Sequence, residues 1–208
     1  MGKETSMPSE SSTGEKLFFF LSGIVVGAPV AFLFEMTSHL WFTTFGVVTI
    51  VAPFVEEFAK ANPLFFRYER PAKSLLLFGF LAGLGFGLAE SIVYVLSGVP
   101  FIARLPAIGF HAAGTTIVAY GVFKRATLKY YFVSVGLHFL NNLFASLGLL
   151  WFVGGLGATL ASYYLAWKYY RLSTRPIAPP SVLPGFCTNC GAAISLGAMY
   201  CHNCGAKC

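Results

Sequence analysis

Six long apolar runs, at 17–35, 40–62, 74–97, 104–123, 129–147 and 149–170, alternate with short polar stretches along this chain. A helix needs about 20 apolar residues to cross the hydrocarbon layer of a bilayer. The pattern therefore predicts an all-α polytopic membrane protein with about six transmembrane helices. The break between the last two runs rests only on the turn-prone stretch around Gly148. Residues 1–15 are polar and poor in aromatics, which predicts a disordered tail ahead of a helical domain over 16–171. Four prolines then mark 172–186 as an extended linker, and 187–208 differ abruptly in composition. Gly83 and Gly87 form a small-xxx-small pair in the third run, suited to close helix packing.

Composition agrees with this reading. The chain is 56% hydrophobic and 11% charged, whereas a soluble domain carries about 25% charged residues. The net charge of +6 does not point to nucleic acid, because the basic residues sit between the apolar runs. Arg67, Arg70 and Lys73 follow the second run, Lys124, Arg125 and Lys129 the fourth, and Lys168, Arg171 and Arg175 the last. The opposite side has only Arg104. Basic loops stay in the cytoplasm, so both termini are expected there. The first run lacks the basic flank and small-residue cleavage site of a secretory leader and reads as a retained helix.

The C-terminal segment carries Cys187, Cys190, Cys201 and Cys204 in a C-x2-C-x10-C-x2-C arrangement, with Gly191 and Gly205 after each pair. Two thiolates three residues apart turn toward one metal when a tight turn follows, and glycine allows the positive φ such a turn uses. Four thiolates complete a closed tetrahedral zinc site, structural rather than catalytic, whose metal drives the folding of a segment too short for its own core. The segment resembles a zinc ribbon. A pair of disulfides is disfavoured by the expected reducing compartment. Cys208 reads as a spare thiol and His202 as solvent-exposed. Such a module also suits docking of a protein partner.

Away from their ends, the predicted spans hold six charged or imidazole side chains: Glu56, Glu57, Lys60, Glu90, His111 and His138. Each costs about 2.5–3.5 kcal/mol at the centre of a membrane helix, so a shared polar site is the economical reading. In VEEFAK, Lys60 lies i+4 from Glu56 and i+3 from Glu57. One carboxylate pairs with it and the other is left for chemistry; a purely structural ion cluster is the alternative. Glu90 has no cation within a helical turn and needs a partner from another helix, a metal or a proton. His138 and Asn142 share a helix face at i,i+4, while Asn141 is expected to point elsewhere. At 1.5 Å rise per residue, Glu56, Glu90 and His138 fall within roughly a dozen Å of one depth. Carboxylates, imidazoles and an amide at one depth suit activation of water and stabilisation of an oxyanion.

These residues carry a resemblance. E-E-x-x-K (56–60), F-x-x-x-E (86–90), an isolated His111 and H-x-x-x-N (138–142), in that order on consecutive predicted helices, resemble the PrsW family of intramembrane proteases. That family is similar to the CAAX prenyl-protease and bacteriocin-processing superfamily. The resemblance covers residues 40–145 and implies cleavage of a peptide bond of a membrane-anchored protein or peptide, such as an anti-sigma factor, within the lipid bilayer. It implies that Glu56 activates water, with Glu57 and Lys60 beside it, and that His138 and Asn142 form the oxyanion-side or metal-side pair. Glu90 stands where the CAAX branch has His. The set Glu56, Glu90, His111 and His138 therefore leaves open a catalytic divalent metal against a glutamate-type site without metal. A non-catalytic scaffold or receptor of the same superfamily is the main alternative function. A transporter is disfavoured by the lack of an internal repeat.

Overall fold

The computed structural model describes residues 11–67, 70–148, 150, 153–174, 185–187, 189–194 and 200–207. Most of the expected tail, the linker over 175–184 and Cys208 lie outside the described residues. Six helices are present among them: α1 (Thr13–Ser38), α2 (44–67), α3 (Ala72–Leu96), α4 (Phe101–Phe123), α5 (Thr127–Ser146) and α6 (Gly154–Thr174). Contacts divide the chain into two compact units, Met1–Thr174 and Arg175–Cys208.

Helix α1 begins inside the stretch expected to be a tail. Ser12 accepts from the Glu15 backbone N–H, and Glu15 reaches back to the Ser12 N–H. This capping box satisfies two orphan donors of the first turn. The Glu15 carboxylate also pairs with Arg70, which puts the start of α1 and the approach to α3 at one end of the helical unit. Wide π-helical turns at Gly23–Gly27 in α1 and Val47–Val51 in α2 each precede a proline, Pro29 and Pro53. A proline offers no N–H to the preceding turn, and the ladder widens there.

Among the described residues, only α1, α3 and α4 are long and apolar enough to cross a membrane by length and hydropathy. This corrects the expectation of about six spans. For α2 and α5, two of the three helices that fall short, the shortfall has a physical cause. Helix α2 carries Glu56, Glu57 and Lys60, all buried, and α5 carries the buried His138 with Asn141 and Asn142. Their outward residues remain apolar: Phe54, Phe58, Phe132 and Leu140 are exposed. An inner polar face lowers the mean hydropathy of a whole helix without changing what it shows to lipid.

The most extensive helix pair is α3 with α4. Gly83 makes it possible: a Cβ there would lie 2.7 Å from the Ala112 Cα and collide with the His111 carbonyl. One core cluster joins Phe19 of α1, Ala61 and Leu64 of α2, Leu75 and Phe78 of α3, and Val118, Ala119 and Val122 of α4. The Phe19 and Phe78 rings stack at 4.3 Å.

In the second unit, β1 (Gly185–Phe186) pairs antiparallel with β2 (Ala193–Ile194). Two matching turns follow. Cys187 donates to Ala192 O and accepts from the Gly191 N–H, and Cys201 does the same with Ala206 and Gly205. Gly191 and Gly205 both adopt φ of 71°, the left-handed conformation expected of them.

Candidate active site between α2 and α5

Helix α2 presents its two adjacent carboxylates to different surroundings. Glu57 is fully buried and fully partnered. Its Oε1 lies 2.8 Å from Lys60 Nζ and 2.9 Å from His138 Nδ1, and its Oε2 accepts from Ser134 at 2.7 Å. Glu56 is also buried, yet its Oε2 has no hydrogen-bond partner. That oxygen lies 3.7 Å from His111 Nδ1 and 3.8 Å from His138 Nε2. Lys60 thus takes the i+3 carboxylate and leaves the i+4 one for other work.

Each histidine is backed by a carboxylate on its far nitrogen. His138 Nδ1 faces Glu57, so with the proton on Nδ1 its Nε2 is bare toward Glu56. His111 Nε2 lies 2.8 Å from Glu90 Oε2, which leaves Nδ1 on the side of Glu56. A ring nitrogen that donates to a carboxylate fixes the tautomer and makes the other nitrogen a better ligand. The two rings sit 5.4 Å apart in an edge-on arrangement, with Phe86 against His111 and Phe110 against both.

Glu90 finds its partner on the next helix. Arg104 Nη2 donates to the same Oε2 at 2.7 Å, and its guanidinium lies 3.9 Å from the Tyr94 ring centroid. Arg104, read from the sequence as the lone basic loop residue on its side, is a site residue within α4. Ser134 and Glu35 were also missed. Glu35 of α1 lines a cavity of about 430 Å³ together with Glu56 and Glu90, and its side chain interacts with that of Glu56.

A second cavity, of about 410 Å³, is lined by Glu90, Tyr94, Arg104, His111, His138, Asn141 and Asn142. Asn142 lies beside His138 as the spacing implied, with its Nδ2 donating to the Val48 carbonyl at 2.9 Å and tying α5 to α2. Asn141 turns its amide to another helix, its Nδ2 donating to Gly155 O and Thr159 Oγ1 of α6, yet it also lines the same cavity.

Glu56, His111 and His138 each offer one ligand atom to a common point, all within 4.8 Å of one another. Two imidazoles and one carboxylate form a donor set of catalytic zinc sites. The orphaned Glu56 oxygen and the carboxylate-backed rings fit a divalent metal. Lys60 Nζ, 2.8 Å from His111 Nδ1, is a group that such a metal would displace.

The four ribbon cysteines also converge within 4.8 Å of one another. Sγ atoms pair across the two turns at 3.6 Å, Cys187 with Cys204 and Cys190 with Cys201. The Ala206 backbone N–H and the Asn189 amide hold the Cys204 thiol down to about 6, below the usual thiol range, as a metal ligand needs. His202 is exposed and outside this set.

A family model described as PrsW family intramembrane metalloprotease matches residues 14–168, and a zinc-ribbon domain model matches residues 186–207. No curated protein and no solved structure matches the chain.

Proposed function

The chain belongs to the PrsW family of intramembrane metalloproteases, and we propose that its α2–α5 centre hydrolyses a peptide bond of a membrane-anchored substrate with water activated at Glu56, His111 and His138. One observation carries this reading: the buried Oε2 of Glu56 lacks a partner while facing two imidazole nitrogens. An unpaired buried carboxylate oxygen is costly, and catalysis explains why it is kept. The protein is an integral membrane peptidase with a C-terminal zinc ribbon.

In this reading Glu56, His111 and His138 hold the metal. When bound, the metal supplies Lewis-acid polarisation of the substrate carbonyl and lowers the pKa of water. The chain's own residues do the rest. Glu57, fixed by Lys60 and Ser134, holds the His138 ring. Glu90, fixed by Arg104, holds the His111 ring. Asn142 keeps α5 against α2 at the cavity wall. The cavity beside the histidines gives room for the scissile bond and water.

The Lys60 contact with His111 favours a second reading. The ammonium already supplies a cation beside Nδ1, and the free Glu56 oxygen then accepts the proton of water directly, as a general base. Both readings place hydrolysis at Glu56. Purified protein reconstituted with a library of membrane-anchored peptides tests them together. Wild type cleaves, and Glu56→Gln and His138→Ala do not. Equal cleavage by all three sinks the assigned site, and no cleavage by wild type leaves a scaffold.

A further inference from the structure

Arg104 is an anomaly at two levels. It is the one basic residue on the side of the chain that the loop charges mark as non-cytoplasmic. It is also built into the site. Its Nη2 is bound to Glu90, its plane lies against Tyr94, and its Nε is buried without a partner. Across the same cavity, Asn141 has both amide hydrogens engaged on α6, and its oxygen has no partner among the described residues. Both residues line the cavity beside His111 and His138, and each carries a polar atom left unmatched among the described residues, Arg104 Nε and Asn141 Oδ1.

We propose that Arg104 and Asn141 form a subsite for the backbone of an unwound, extended stretch of substrate, Arg104 Nε donating to a peptide carbonyl and Asn141 Oδ1 accepting a peptide N–H. This rests on the peptidase reading. A peptide bond inside a transmembrane helix is shielded by its own hydrogen-bond ladder. Opening the ladder strands N–H and C=O groups, each costing several kcal/mol in an apolar medium. A donor and an acceptor held in place beside the reacting bond offset that cost. A carboxylate ligand fits less well. The guanidinium charge is already matched by Glu90 at 2.7 Å, so a second carboxylate would meet Glu90 at like charge.

The test is binding of a fluorescent transmembrane peptide to the full chain in vesicles, in a Glu56→Gln background that blocks turnover. Single backbone amides around the central bond are replaced in turn by esters, which weakens one carbonyl and removes one N–H. One or two positions should lose about tenfold in affinity, the scale of one charge-assisted hydrogen bond. In Arg104→Lys, which keeps the charge for Glu90 but not the fork, the carbonyl-dependent loss should vanish. Loss at no position overturns the subsite, with or without a folded Arg104→Lys. Equal losses in both proteins also overturn it. So does tighter binding of a peptide bearing Asp in place of Asn that disappears in Arg104→Lys, which would mark an anion site. Position-dependent binding without any cleavage by wild type would keep the subsite and remove the peptidase reading. Cleavage without position dependence would do the reverse.

Discussion

Glu56 and Glu57 are neighbours in sequence, yet Lys60, Ser134 and His138 converge on one of them and none of them hydrogen-bonds Oε2 of the other. Glu56→Gln should therefore lower cleavage by about 10²–10⁴, the range of acid–base catalysis, measured as kcat on a membrane-anchored peptide. Ser134→Ala removes only a hydrogen bond that steadies Glu57. It should weaken metal affinity by about tenfold, the low end of outer-partner effects, read by chelator competition. At this scale much was legible. The spacing of VEEFAK already implied one paired and one free carboxylate, and the isolation of Glu90 implied a partner from another helix, a metal or a proton. Which partner was not legible. Arg104, Ser134 and Glu35 are set by contacts across helices, and their local sequence carries no mark of them. Asn141 points to another helix as its spacing implied, and its place on the cavity wall was not legible because a cavity between several helices is wider than one helix face.

The elements set how well the site is held. Helix α4 reaches α3 closely because Gly83 has no Cβ to strike the His111 turn. Gly83→Val should destabilise the helical unit by about 1–3 kcal/mol, as overpacking does, and displace His111. A lower thermal midpoint in detergent, with reduced metal affinity, checks this. The small-xxx-small pattern was visible in the sequence. The two π-helical turns preceding Pro29 and Pro53 were not, because they depend on hydrogen bonds that hydropathy does not report, whereas the early start of α1 is marked by the S-x-x-E spacing of Ser12 and Glu15. The same limit of hydropathy explains the shortfall in spans at α2 and α5. Helices α2 and α5 turn their polar residues inward, and an average over the helix cannot tell inward from outward.

For the whole molecule, the proposed hydrolytic centre of the helical unit and the structural zinc site of the small unit need separate tests. The loop charges predict that the ribbon lies in the cytoplasm, so protease added to sealed right-side-out vesicles should spare it, and opening the vesicles should expose it. Release of the ribbon from sealed vesicles would reverse the orientation. The central claim is that Glu56, His111 and His138 form a metal-holding hydrolytic centre distinct from the cysteine site. The most direct measurement is the zinc content of the purified full chain beside two variants, Cys187→Ser with Cys190→Ser, and Glu56→Gln with His138→Ala. The account predicts two bound metals in wild type and one in each variant. A wild type with a single metal, lost entirely from the cysteine variant while cleavage persists, would contradict it.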